Sequence, residues 1–245
     1  MTFNILSLNR VKKGISMING GVHFTERGIM QNIRAMRMQT VLMSITNENV
    51  VGFDKVGYQK KIPVVSSFAE FIGEQAISTT TDDTVGRLVK TNNPLDIALA
   101  EKGYFQVQSD EGIKLTRDGR FRLDKNGQLL TLEGAKVLNN MGIPMVLPFS
   151  PEKPEDVTID LNGVVKVINH KTRKFETAGT LGIVSQDGVA VLSPNVRQGY
   201  NEHSNVSLQS EFMQAMTYPK TFEANRQLYQ IQNSNLQRVI SSLGS

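Results

Sequence analysis

The chain has 245 residues, 39% of them hydrophobic and 20% charged, with a net charge of +4 and no cysteine. That length supports one large domain or two modest ones around a real apolar core. The absent thiols exclude disulfides, zinc ribbons and cysteine nucleophiles. The mild positive charge is scattered, grouped only at Lys12–Lys13, Lys60–Lys61 and Lys171–Lys174, and no nucleic-acid-binding signature accompanies it. No stretch approaches about 18 uninterrupted apolar residues, so no membrane insertion is expected. The opening M-T-F-N-I-L-S-L-N-R-V-K-K has no apolar core behind a basic segment and does not read as a cleaved secretory signal.

In chain order, residues 1–24 show little periodicity, are punctuated by Gly14, Gly20 and Gly21, and read as a loose or partly helical leader. A helical arm is expected over 25–53. Thr25 can cap it, and Ile29, Ile33, Met36, Thr40 and Met43 recur at alternating four- and three-residue steps, the seam of a helix meant for another helix or the face of an amphipathic helix packed on its own domain. Asn47, Asn49 and Gly52 read as its stop, because Asn and Gly tolerate positive φ, and Phe53 follows. Residues 54–90 read as an extended connector, with a brief helical pattern over 68–77.

From Leu88 the apolar period becomes two, and 91–200 reads as a β domain. Asp118-Gly119, Asn126-Gly127, Asn162-Gly163 and Asp187-Gly188 separate short apolar runs. Asn-Gly pairs suit two-residue type I′ hairpins, whose central residues both need φ > 0. Turns at this spacing, with no strand–helix alternation, predict an antiparallel sheet domain. A second helical arm is expected over 201–245. Ser204, Asn205 and Val206 lead into it, Ser207 is the expected N-cap, and Leu208, Phe212 and Met216 line one face. Pro219 is expected to interrupt the arm. Phe222, Asn225, Tyr229, Leu236, Val239 and Leu243 then continue a seam. The predicted fold class is mainly β with α-helical termini.

Chemistry is sparse. His23, His170 and His203 are far apart and lack ligand spacing, so no metal is expected. Ser150-Pro-Glu-Lys153 matches S-x-x-K in form, but no K-T-G accompanies it. No phosphate-cradling glycine loop occurs, and no cofactor-binding or catalytic residue is assigned.

Several motifs together resemble the axial proteins of the bacterial flagellum, the basal-body rod and hook family. Ile45, Asn47, Asn49, Gly52 and Phe53 match the end of that family's N-terminal arm, N-N-I-A-N-x-N-T-x-G-F, while Met43, Ser44, Thr46 and Val50 depart from it. Asn93-Pro94-Leu95-Asp96-Ile97-Ala98-Leu99 resembles N-x-L-D-x-A-I, and Gly103–Val107 resembles G-x-G-F-F-x-V. Leu115–Phe121 is similar to Y-T-R-x-G-x-F, and Phe222-Glu223-Ala224-Asn225 to R-x-Y-E-x-N. The resemblance implies a non-enzymatic subunit of the rod, located in the periplasm-spanning basal body and exported by the flagellar type III apparatus without a cleaved signal. It implies terminal arms that pair as a coiled-coil-like axial domain, self-association in a helical assembly, and other rod and hook proteins as partners. A hook or hook-junction component and a non-polymerising adaptor of the flagellar base are the alternatives. Arg117 is read as an ion-pair or hydrogen-bond anchor.

Overall fold

The computed structural model describes residues 5–65 and 77–243, with side chains described over 27–64 and 77–242. The chain divides into two units. One holds Met1–Asn47, Pro63–Ser78 and Gln209–Ser245; the other holds Glu48–Ile62 and Thr79–Leu208. Helix α1 runs Ile5–Gly52 and helix α2 runs Leu208–Leu243. Among the described residues fifteen strands lie between them, beginning with β1 (Lys61–Val65) and β2 (Ile77–Thr81), and every described pairing among the strands from Leu88 to Glu202 is antiparallel. The helical pattern expected over 68–77 falls, except for Ile77, outside the described residues.

Two helical expectations change. The helix is continuous across Thr25, so Thr25 lies inside α1 and no helix starts there. Pro219 lies inside α2 without ending it. Pro removes a single N–H, and hydroxyls beside it engage neighbouring carbonyls: Thr217 Oγ1 donates to Met213 O (2.9 Å) and Thr221 Oγ1 to Tyr218 O (2.9 Å).

In the β unit, β3 (Leu88–Lys90) pairs with β15 (Tyr200–Glu202), and β4 (Ile97–Leu99) with β14 (Val196–Gln198). β3 and β4, early in the unit, therefore lie beside β15 and β14 at its end. β5 (Tyr104–Ser109) is the spine of the largest sheet. It pairs with β6 (Gly112–Thr116) on one edge, and with β9 (Lys136–Val137) and β13 (Ile183–Val184) elsewhere; β7 (Phe121–Leu123) and β8 (Leu129–Thr131) continue the sheet. β10 (Val157–Ile159), β11 (Val164–Asn169) and β12 (Lys174–Thr180) form a three-stranded sheet. The core gathers the inward positions of these strands, including Ile97, Leu99, Phe105, Phe121, Val137, Val165, Val167 and Val196. Phe105 and Phe121 meet edge to face, with ring centroids 5.2 Å apart.

The turns share one design, which differs from the expected type I′ hairpin. Asp124 Oδ1 accepts the N–H groups of Asn126 and Gln128, and Gly127 takes φ 75 while Asn126 stays out of the positive-φ region. Asp160 does the same for Asn162 and Val164, with Gly163 at φ 81. The side chain before each Asn-Gly pair thus sets up a longer turn with glycine in the left-handed position. Thr131, Asn139 and Ser185 cap equivalent turns that close through Gly134, Gly142 and Gly188.

Arg117 is 2% exposed and fully engaged. Its Nε donates to Glu202 Oε2 (2.6 Å), Nη1 to Gly103 O (2.7 Å) and Nη2 to Leu99 O (3.0 Å). Glu202 Oε1 accepts the N–H of Gly86 (2.9 Å). Arg117→Met is expected to destabilise the β unit by about 3–5 kcal/mol, because it strands a buried carboxylate; urea unfolding of the full chain measures this.

A more exposed pair joins the β11–β12 turn to the loop before β10. His170 Nε2 lies 3.0 Å from Asp156 Oδ2, which also accepts the N–H groups of Glu152 and Lys153. The bond to Asp156 raises the His170 pKa; the bond to His170 and the Lys153 N–H hold the Asp156 carboxyl below its usual range. Glu152 raises the His170 pKa further and Lys153 opposes it. A raised histidine contributes stability below its unfolded pKa of about 6.5, lost as pH rises through the folded value. A lowered aspartate contributes above about 3.9, lost as pH falls. The pair therefore stabilises most between these limits. The thermal midpoint of the wild-type chain is expected to fall relative to His170→Ala as pH rises from about 6 to 8, measured by circular dichroism melts.

Candidate assembly joint

The last turn of α1, the connector and the entry to α2 meet in one hydrogen-bonded joint. Asn49 is 1% exposed. Its Oδ1 accepts the Lys61 N–H (2.8 Å) and its Nδ2 donates to the Lys61 carbonyl (2.9 Å), so the side-chain amide serves as a strand partner for one residue. Tyr58 Oη also donates to Asn49 Oδ1 (3.2 Å). From the other side, Asn205 Oδ1 accepts the Lys60 N–H (2.7 Å), and its Nδ2 donates to the carbonyls of Asp82 and Thr84 (3.0 Å each). Two asparagines thus hold consecutive connector residues. An ion pair between Glu48 and Lys61 lies beside them.

The helix stop works differently from the sequence expectation. Asn47 and Asn49 are helical, and the helix ends at Gly52. Gly52 is not in the positive-φ region. A Cβ there would stand 2.4 Å from the Tyr58 ring, so Gly52 makes room for an aromatic that turns back on the helix. Positive φ falls instead on Gly57, at 69°. A Cβ on Gly57 would lie 2.3 Å from Asp118 N, and its own N–H donates to Glu202 O (2.8 Å). The connector is therefore seated on the Arg117–Glu202 pair.

The residues expected at this joint come together only in part. Asn49, Gly52 and Asn205 are in it. Ser204 Oγ accepts the Val206 N–H (3.2 Å) at the entry to α2, and Val206 is buried. Phe53 is half-buried and Asn47 is exposed. Sequence reading missed Tyr58, Lys60, Lys61 and Glu202. A lysine backbone that needs a side-chain partner leaves no trace in periodicity.

Along the arms, Ile29, Ile33 and Met36 are half-buried, and Thr40 and Met43 are exposed. On α2 the buried and half-buried stripe runs Glu211, Ala215, Tyr218, Asn225, Tyr229, Gln232, Leu236, alternating three- and four-residue steps around Phe222, which is 37% exposed. Phe212 and Met216 lie off this stripe, at 53% and 62% exposure. The sequence expectation placed them on one face with Leu208 by restarting the pattern at Pro219; the unbroken helix keeps a single register through it. Val239 sits at the margin of the stripe at 39% exposure, and the Leu243 side chain lies outside the described ones. Among the described residues, no group of three His, Cys, Asp or Glu side chains could hold a metal ion. No described helix is long and apolar enough to cross a membrane.

Comparison with known proteins gives a consistent result. Residues 98–167 match the model described as "Flagellar hook protein FlgE/F/G D1 domain", and residues 197–243 match "Flagellar basal body rod FlgEFG protein C-terminal". The chain is similar to the flagellar basal-body rod protein FlgF of Mesorhizobium japonicum, at 28% identity over 85% of this chain and 92% of the relative. It is also similar to FlgF of Rhizobium meliloti, at 29% identity over the same shares. FlgG of Bacillus subtilis is 25% identical over 86% of this chain and 95% of the relative.

Asn49→Ala is expected to leave the half-buried Lys61 N–H and C=O without their Asn49 partner. Chemical unfolding of the full chain should show a loss of about 1–3 kcal/mol in total, with faster amide exchange at Lys61.

Proposed function

We propose that the chain is a member of the flagellar basal-body rod protein family and works as a structural subunit of the rod, on the support of the two family models and the rod-protein relatives it matches. It polymerises through its terminal helices into part of the axial drive shaft for motility. α1 and α2 pair as a coiled-coil-like axial element, and the β unit is the cargo they carry. Its neighbours are other rod and hook proteins and further copies of itself, in the periplasm-spanning basal body. It reaches that place through the flagellar type III export apparatus without a cleaved signal peptide. Its role is structural, with no catalysis.

The observation that carries this reading is the exposed apolar surface of α2. Phe212, Met213 and Met216 are exposed by 53–62%, and Leu228, Ile231 and Ile240 by 49–60%. They lie on a helix whose other stripe is already half-buried. Covering such side chains stabilises by roughly 1.5–3 kcal/mol each when burial is complete. Contacts that repeat head to tail without closing a ring build a helical filament. The methionines suit contacts with several differently shaped neighbours. A hook-type axial component is the second reading, favoured by the domain model whose description names the hook protein.

Deleting residues 1–45 or 207–245 is expected to abolish incorporation into rods while the β unit keeps its fold, scored by isolation of basal bodies and by limited proteolysis. A truncated chain that still enters rods would sink the proposal.

A further inference from the structure

A hydrogen bond joins the two arms between Asn32 and Gln232. Asn32 Nδ2 donates to Gln232 Oε1 at 2.9 Å. Both side chains are half-buried and lie on the seam stripes of their helices. Four residues before Asn32, on the same face of α1, stands Gly28. Glycine inside a helix weakens it, so its presence needs a reason. A Cβ at Gly28 would lie 2.8 Å from Gln232 Nε2. The missing side chain leaves a notch one turn long, and the Gln232 amide fills it while bonding to Asn32.

We propose that Gly28, Asn32 and Gln232 form a register lock between the arms. The inference rests on the reading that the arms pair. Asn32 lies about 30 Å of helix from Gly52, and Gln232 about 36 Å of helix from Leu208. Gly52 and Leu208 are the helix ends that adjoin the connector, so the helices run antiparallel where the two residues meet. A seam of apolar side chains alone tolerates slips of a heptad, and one polar pair removes that freedom at some cost in stability. A slip in one direction would set Asn32 against Val239. A slip in the other would bring up Asn225, whose side chain is one methylene shorter than Gln232 and fills the Gly28 notch less well. The lock sets which residues of α2 stay uncovered, and hence which apolar surface the subunit offers its neighbours.

The full chain is free of cysteine, which permits a direct test by disulfide trapping under dilute oxidising conditions. The pair M36C/Y229C lies one turn from the lock toward the connector and reports the proposed register. M36C/F222C and M36C/L236C report slips of one heptad either way. With the lock intact, the first pair is expected to crosslink within the chain about tenfold more than the other two. In the N32A/Q232A background that preference should collapse toward equal yields, and G28A should reduce it. Unchanged preference without the two amides would overturn the lock. Absence of any crosslink would overturn arm pairing in this chain. Light scattering across concentration on the chain without the reporter cysteines separates this from the assembly reading. A chain that polymerises with an indifferent crosslink pattern refutes only the lock, and one that keeps the pattern without polymerising refutes only assembly.

Discussion

The β unit depends on a single buried ion pair. Arg117 and Glu202 are removed from water, and burying charges is costly unless geometry and hydrogen bonds compensate. Here they do. The Arg117 fork reaches the Glu202 carboxylate and the carbonyls of Leu99, Glu101 and Gly103. The other Glu202 oxygen takes the Gly86 N–H. The pair thereby links the last strand of the unit, the turn after β4 and the segment entering β3. Planarity and five fixed donors suit arginine to this position, and lysine could not reproduce the fork.

Around that pair the backbone packs with almost no space. A Cβ on Gly86 would overlap His203 O at 1.8 Å, and one on Gly119 would overlap Ile97 O at 1.7 Å. The first contact lies beside the β3–β15 pair and the second sets the turn before β7 against β4; β3 and β4 themselves pair with β15 and β14, although about a hundred residues separate the partners in sequence. The same closure brings Asn205 to the connector that Asn49 holds from the other side. The joint is therefore a consequence of how the β unit closes.

Much of this was legible in the chain. The two-residue period located most strands, and glycine-bearing turns located the hairpins. The turn type was not legible from Asn-Gly alone, because Asp124 and Asp160 lie two positions before the pair and capture the backbone N–H groups first. β12 was missed because Lys174–Thr180 carries charge and exposed side chains, as an edge strand does. Gly52 drew attention as a residue tolerant of positive φ, yet its role is to admit the Tyr58 ring. Pro219 was read by its local cost, and the 36-residue helix around it absorbs that cost. Asn32 and Gln232 leave no trace in an apolar period, because they are polar residues on the seam.

By itself, the sequence determined the class of the fold: helical arms flanking an antiparallel β domain, no thiol chemistry, and an ordered run of motifs that resembles an axial flagellar family. Those features live in local patterns, where side-chain period and turn residues speak for themselves. Tertiary structure alone decided which backbone groups the asparagines hold, what Arg117 faces, and which α2 residues stay uncovered. Each of these depends on partners far away along the chain, and a one-dimensional pattern carries no distance between them.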